Sequence, residues 1–230
     1  SIRAMQTDDV KALTTDQIVA LSSTQIAAFS TDQVKALTTD QIVAITTNDL
    51  AGMTTAQIKS LTTDSITALT TDQIVALDSA QFVAMTTDQI RALESTDIVA
   101  IDTADLRAFS SSQISALTTD TIAALDTTHV AALLTTHIAA LSTDQIEALS
   151  TDAIAGLTST QLRAFATTDL QALTTDQIVA LETADLAGLT MEQATAFTSD
   201  QAAAFSTTQL ESLLAASPVV LDLDGNGVQT

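Results

Sequence analysis

LTTDQIVA stands unchanged in four places, at residues 13–20, 37–44, 69–76 and 173–180. Aligned on this octapeptide, residues 5–212 keep a period of eight without an insertion, which makes 26 octads. Position 1 is always Leu, Ile, Met or Phe, and position 6 is a large apolar residue except at Ala194 and Ala202. Two large apolar side chains in every octad predict one core that all the octads share.

Two further positions of the octad are restricted to small residues or hydroxyl residues. Position 8 is Ala, Gly or Ser throughout, which predicts that another backbone passes close to it. Position 3 is Ser or Thr in every octad except the one with Met191. Residues 1–4 already fit positions 5 to 8 of a preceding octad, so we expect residues 1–212 to be a fragment of a longer array.

The period of eight decides between strand and helix. Strand alternation would place positions 1 and 6 of one octad on opposite faces. A continuous helix would overshoot two turns by about 80° per octad, which would wind the apolar stripe around its axis. A short helix in each octad, begun by a hydroxyl N-cap, satisfies the pattern. Position 2 and position 3 are both candidates for the cap, and the near invariance of position 3 favours that position.

These features predict an all-α fold, a solenoid of very short helices with one helix per octad. Cations at position 7 recur at multiples of 24 residues, at Lys11, Lys35, Lys59 and Arg107. This spacing indicates three octads per superhelical turn, although Arg91 and Arg163 depart from it. We expect two regions: the solenoid at 1–212, and a linker leading into a loop similar to a calcium-binding loop at 213–230.

Composition excludes several classes of protein. The formal net charge is −21, from 7 Lys and Arg against 28 Asp and Glu, yet a mean hydropathy of +0.32 argues against disorder. Seven cations are too few for the basic face that nucleic-acid binding requires. The chain has no Cys, and therefore no disulfide or thiolate metal site. No apolar run is long enough to span a membrane, and residues 1–30 do not resemble a signal peptide.

Carboxylates form the first candidate functional feature. Twelve octads carry Asp at position 4: Asp8, Asp16, Asp32, Asp40, Asp64, Asp72, Asp88, Asp120, Asp144, Asp152, Asp176 and Asp200. In the first turn of a helix, a negative charge favours the helix dipole, so a structural role explains them. The alternative is a ladder of carboxylates that binds cations or imitates the phosphate spacing of DNA.

Two histidines form the second candidate feature. His129 and His137 replace the usual Gln at position 5 of consecutive octads. Side by side on adjoining helices, they would suit a shared transition metal or haem iron. The preferred interpretation is surface substitution for Gln.

Serine and threonine are abundant, but a regular array of capping hydroxyls supplies neither a base nor a pocket, and we expect no enzyme activity.

The octads stop after Leu213, and the following residues form the third candidate feature. Asp222, Asp224 and Asn226 occupy positions 1, 3 and 5 of a calcium loop, and the carbonyl of Val228 occupies position 7. The twelfth position of that loop would be residue 233, so we expect calcium binding in a longer parent protein and weak binding or none in residues 1–230. The alternative for this segment is a hairpin turn.

Octads of this type, followed by SPVVLDLDGNGV at residues 217–228, resemble segments of very large Gram-negative proteins. These proteins belong to the hemolysin-type calcium-binding (RTX-like) and adhesin class, including those labelled haem utilization. The resemblance implies an extracellular or cell-surface location, calcium in the parent protein, and an array that acts as a spacer or display rod. The glycine-rich nonapeptide of hemolysins is absent, so no β-roll is implied for residues 1–212.

The sequence thus predicts a non-enzymatic structural or interaction module of a secreted or surface protein. Its expected partners are proteins or cell surfaces, with no nucleic acid and no membrane insertion. No cofactor is expected in the repeat region. The alternatives are an array that binds a cation or haem, and an acidic solenoid that imitates DNA.

Overall fold

A computed structural model describes residues 2–216, and within that range it contains helices and no strand. A 3-10 helix, Ile2–Ala4, precedes 26 α-helices. Their bounds are α1 Thr7–Lys11, α2 Thr15–Val19, α3 Ser23–Ile26, α4 Thr31–Lys35, α5 Thr39–Ala44, α6 Thr47–Ala51, α7 Thr55–Ser60, α8 Thr63–Thr67, α9 Thr71–Val75, α10 Ser79–Ala84, α11 Thr87–Arg91, α12 Ser95–Ile98, α13 Thr103–Ala108, α14 Ser111–Ala116, α15 Thr119–Ala123, α16 Thr127–Ala132, α17 Thr135–Ile138, α18 Thr143–Ala148, α19 Thr151–Ala155, α20 Ser159–Leu162, α21 Thr167–Ala172, α22 Thr175–Ala180, α23 Thr183–Leu186, α24 Met191–Ala194, α25 Ser199–Ala204 and α26 Thr207–Ala216. The prediction of an all-α fold with one short helix per octad is confirmed.

Each helix begins after an N-cap at position 2 of its octad. In α5, the Thr38 hydroxyl accepts a hydrogen bond from the Gln41 backbone N–H at 3.3 Å, and Gln41 Oε1 accepts from the Thr38 N–H at 2.9 Å. This reciprocal pair is a capping box, because each side chain satisfies a backbone donor that the helix leaves free. The preference for position 3 as the cap is therefore wrong, and position 3 is the first residue of the helix.

The six-residue helices, such as α5, end where position 1 of the next octad adopts an extended conformation, and the four- and five-residue helices end one or two residues earlier. After α5, Ile45 has φ −65° and ψ 126°, and the next N-cap, Thr46, has φ −67° and ψ 154°. The Ile45 N–H still reaches the Ile42 carbonyl at 3.2 Å and closes the last turn. Two extended residues in succession redirect the chain, so every helix before α26 has at most six residues.

The helices form two compact units, residues 2–125 and 126–216, each built from stacks of helices three octads apart. In the first unit, stack A contains α1, α4, α7, α10 and α13; stack B contains α2, α5, α8, α11 and α14; and stack C contains α3, α6, α9, α12 and α15. In the second unit, the stacks are α16, α19, α22 and α25; α17, α20, α23 and α26; and α18, α21 and α24. Helices in contact within a stack lie 24 residues apart, which confirms three octads per turn.

The core of each unit consists of the side chains at positions 1 and 6. Ile74 at position 6 is 0% exposed, and Leu77 at the next position 1 is 3% exposed. The two departures at position 6, Ala194 and Ala202, fall in the last described turn, where no described helix covers them and both are partly or fully exposed. Small residues there reduce the apolar surface that the end of the stack presents to water.

The last helix extends beyond the predicted end of the array. Helix α26 continues to Ala216, four residues past the boundary expected at residue 212. Its extra turn carries Leu213, which is 9% exposed and still occupies position 1. The candidate calcium ligands Asp222, Asp224, Asn226 and Val228 lie outside the described residues.

Position 8 is small because it faces position 3 of an octad in the neighbouring turn. A Cβ added at Gly156 would lie 2.7 Å from Thr127 Cγ2 and 2.9 Å from Thr127 Cα. At Gly52 the nearest atoms to such a Cβ, including Ser23 Cβ, are 3.4 Å away. The Thr127 hydroxyl also donates to the Asp152 carbonyl at 3.1 Å. This packing explains the restriction at position 8, and it gives position 3 a role other than capping.

The two glycines are expected to respond differently to alanine. Gly156→Ala is expected to lower the free energy of unfolding by about 1–3 kcal/mol, because Thr127 would have to move. Gly52→Ala, with ordinary contact distances, is expected to leave stability unchanged or to raise it by about 0.5–1 kcal/mol. Chemical denaturation of both variants measures the difference. A Gly156→Ala variant as stable as Gly52→Ala would show that positions 8 and 3 are not tightly packed.

Candidate functional site

The side chain at position 5 joins each turn to the preceding turn. Gln73 is 2% exposed, and its Oε1 caps the Thr70 N–H at 2.9 Å. Its Nε2 donates to the carbonyls of Ile42 and Ile45, both at 2.8 Å. These carbonyls lie at the end of α5 and in the bend that follows it. One amide group therefore caps the start of its own helix and satisfies backbone acceptors one turn away.

This arrangement recurs through both units, and we call it the glutamine ladder. Its members donate from Nε2 to the position 1 carbonyl 28 residues earlier: Gln33, Gln41, Gln57, Gln73, Gln81, Gln89 and Gln113 in the first unit, and Gln161, Gln177, Gln193, Gln201 and Gln209 in the second. Gln17 and Gln25, in the first turn, have no described turn beneath them and are exposed. A buried amide at position 5 is thus a consequence of stacking.

The ladder also explains why position 2 tolerates residues that are poor caps. At Ala166, the backbone N–H still donates to Asp169 Oδ2 at 2.8 Å. At Leu134, the N–H donates to His137 Nδ1 at 3.2 Å. Position 5 supplies the acceptor in both cases, so half of the capping box survives without a polar side chain at position 2.

The histidines are buried, so the interpretation as surface substitutions is wrong. His129 is 8% exposed and His137 is 2% exposed, because both occupy the ladder position. His129 Nδ1 lies 2.7 Å from Asp126 Oδ1, and His137 Nδ1 accepts the Leu134 N–H. Hydrogen bonding by the His129 backbone and ring also lowers the pKa of the Asp126 carboxyl. Each Nδ1 thus serves a helix start, and the alternative of a shared metal or haem iron stays a prediction.

Carboxylates also occupy the ladder position in some octads. Asp97 is 4% exposed and accepts the Glu94 N–H at 3.0 Å, as a ladder glutamine would. Burial raises the pKa of the Asp97 carboxyl; the charge of Glu94 adds to the increase, and the hydrogen bond from the Glu94 backbone opposes it. Burial and the charge of Glu182 likewise raise the pKa of Asp185. A carboxylate can cap a helix, but in its ionised form it has no proton to donate to a carbonyl.

Replacing Asp97 by glutamine is expected to stabilise the protein. The glutamine side chain would keep the cap and add donation to the carbonyls of Ile66 and Leu69, for a gain of about 1–3 kcal/mol near pH 7. The raised pKa means that folded Asp97 binds a proton more readily than the unfolded chain does. The loss of stability caused by the ionised Asp97 carboxylate therefore fades as the pH falls through the folded pKa towards about 4, the unfolded pKa.

The advantage of Asp97→Gln over the wild type should accordingly shrink between about pH 7 and pH 4. Urea denaturation across this range measures it. Asp97→Asn is the control, because it removes the charge but has the shorter side chain of Asp. A loss of stability in Asp97→Gln would contradict the role assigned to the ladder.

The position 4 carboxylates lie in the first turns of their helices, as expected. Those of the first unit, such as Asp16, Asp40 and Asp72, are exposed. Among residues 2–216 no group of three or more His, Asp or Glu is arranged to hold a metal ion. None of the helices in this range is both long enough and apolar enough to cross a membrane.

Stacked short helices joined by buried glutamine side chains define a helical repeat protein, a solenoid whose unit is the octad. The model of the ALTTAQ repeat family matches residues 2–39, 18–47, 42–79, 98–135 and 122–159, which together make up more than half of the chain. The chain belongs to the ALTTAQ repeat family. A search of curated proteins finds no match.

Proposed function

We propose that this chain is a non-enzymatic spacer, a structural module that holds or displays other parts of a larger protein. The glutamine ladder carries the proposal. Position 5, the most regular polar position of the interior, is used to join one turn to the next, and the hydroxyls at position 2 are used as helix caps. These polar side chains, which catalysis would require to be free, are thus already engaged in hydrogen bonds that hold the fold together.

The resemblance of residues 217–228 to segments of large Gram-negative proteins supports an extracellular or cell-surface location for this spacer. It also supports calcium binding by Asp222, Asp224, Asn226 and the Val228 carbonyl in the parent protein. Both statements are proposals that rest on the resemblance. Neither haem nor a cation is favoured by a described feature of residues 2–216.

A spacer of this kind should change length in steps of one turn. Deleting residues 45–68 removes three octads and should leave the ladder in phase. With spin labels at Val19→Cys and Arg91→Cys, both in stack B, the distance between labels should shorten by about 8–10 Å, one helix layer. The chain has no native Cys to interfere.

Deleting residues 45–64 is the control, because it removes a similar number of residues but breaks the octad period. This variant is expected to lose helical circular dichroism. If the deletion of residues 45–68 also unfolded the chain, or left the distance unchanged, the spacer proposal would be wrong.

A further inference from the structure

Four of the seven cations form a column on one face of the first unit. Stack A presents Lys11, Lys35, Lys59 and Arg107 at position 7, from the ends of α1, α4, α7 and α13. All four are exposed, and none takes part in an ion pair within the range 2–216. In a chain with net charge −21, four exposed cations without an ion pair on one stack form a concentrated basic column.

Helix capping does not account for this column. A cation in the last turn favours the helix dipole, but the argument applies equally to all three stacks. At the same position, stack C carries only Ala and Val, and stack B carries one cation, Arg91, which pairs with Asp88 at 2.9 Å. The acids of stack A lie at the opposite ends of its helices, at N-caps or in first turns: Asp8, Asp9, Asp32, Asp78, Asp102 and Asp105.

Stack B carries the complementary charge. Four consecutive helices of that stack, α2, α5, α8 and α11, present Asp16, Asp40, Asp64 and Asp88 at position 4. All four aspartates are exposed. Each column has one position per turn of the same solenoid unit. The two columns therefore have the same spacing between turns and the same rotation from one turn to the next. Lys11, Lys35 and Lys59 lie on consecutive turns, whereas Val83 separates them from Arg107, and Asp88 already pairs with Arg91. Asp16, Asp40 and Asp64 of a second copy would therefore match Lys11, Lys35 and Lys59 over three consecutive turns.

We propose that the basic column of stack A is a docking surface for the acidic column of stack B of a second copy of this chain. The contact joins different faces of the two copies, so it is heterologous and leads to side-by-side arrays. Exposed ion pairs are individually weak, and the association depends on several pairs in register. The inference extends the proposed spacer, although a chain that remains monomeric can still act as one.

Sedimentation of the intact chain at about 10 mM and about 1 M salt tests the proposal, since the screening length falls from about 30 Å to about 3 Å. At low salt the apparent mass should rise with concentration above the 23.8 kDa of one chain, and at high salt it should return to that value. The K11Q/K35Q/K59Q variant should lose about tenfold in association constant. The A51E/V75E/V99E variant has the same change in net charge at position 7 of stack C, and it should associate like the wild type.

The D16N/D40N/D64N variant distinguishes docking from general repulsion. It lowers the net negative charge, so non-specific repulsion predicts stronger association, whereas docking predicts a loss. Mixing K11E/K35E/K59E with D16K/D40K/D64K should restore association that each lacks alone. Circular dichroism verifies that the variants fold. A wild type that stays monomeric at low salt, or that binds a DNA duplex through these lysines instead, would overturn the proposal.

Discussion

Gln73→Leu is expected to lower the free energy of unfolding by about 2–5 kcal/mol, a large share of the stability of a typical domain. Leucine keeps the volume of the side chain but neither accepts the Thr70 N–H nor donates to the Ile45 carbonyl. The Ile45 carbonyl would remain buried without this donor, the part-buried Thr70 N–H would lose its acceptor, and the Ile42 carbonyl would lose one of its two donors. Urea denaturation of the full chain measures the loss.

Gln17→Leu is the matched control, because Gln17 occupies the same position of an identical octad. It caps the Thr14 N–H at 2.9 Å but is exposed, and no described turn lies beneath it. Water can replace its single bond, so the expected loss is below about 1 kcal/mol. If the two variants lost equal stability, the capping box alone would explain position 5 and the bonds between turns would contribute nothing.

Ile74→Asp is expected to cost about 3–5 kcal/mol or more, because it places an unpaired charge in the core at a site with 0% exposure. Val75→Asp adds the same charge one residue later, at a side chain that is 61% exposed. Its expected cost is below about 1 kcal/mol, from a negative charge near the end of α9.

Hydrogen exchange of Ile74→Asp should show where the damage spreads. In a stack stabilised by contacts between neighbours, protection should fall first in α6 and α12, the two helices that pack against α9. A uniform loss of protection across residues 2–125 would instead show that this unit unfolds as one cooperative block.

Much of the fold can be predicted from the octad because the relevant interactions are local or strictly periodic. The apolar pair at positions 1 and 6 identifies the core, and the small residue at position 8 identifies the close approach between turns. The recurrence of Lys11, Lys35 and Lys59 identifies the turn of three octads. The position of the N-cap does not follow from regularity of the sequence. Position 3 is more regular than position 2, but its regularity reflects packing against position 8 of another turn.

The function of position 5 required knowledge of what lies one turn away. From the sequence alone, Gln73 completes a capping box with Thr70, and nothing indicates that its amide also reaches Ile45. His129 and His137 were misassigned to the surface for the same reason. The available signal was the frequency of Gln itself. A solvated position would accept Glu or Lys as readily, whereas this position requires an acceptor for its own helix and, in most octads, a donor for another.

Because a turn holds three octads that are equivalent in the ladder, the number of octads that precede a given octad decides which of the three stacks it joins. Duplication of one octad would let the ladder form again with new partners, because position 5 donates to backbone carbonyls that every octad has, and it would move each later side chain to the next stack. Duplication of three octads would lengthen the array and preserve its faces. Gain or loss of single octads can therefore rearrange the charge pattern of the surface without a single substitution, while the type of hydrogen bond in the interior is kept.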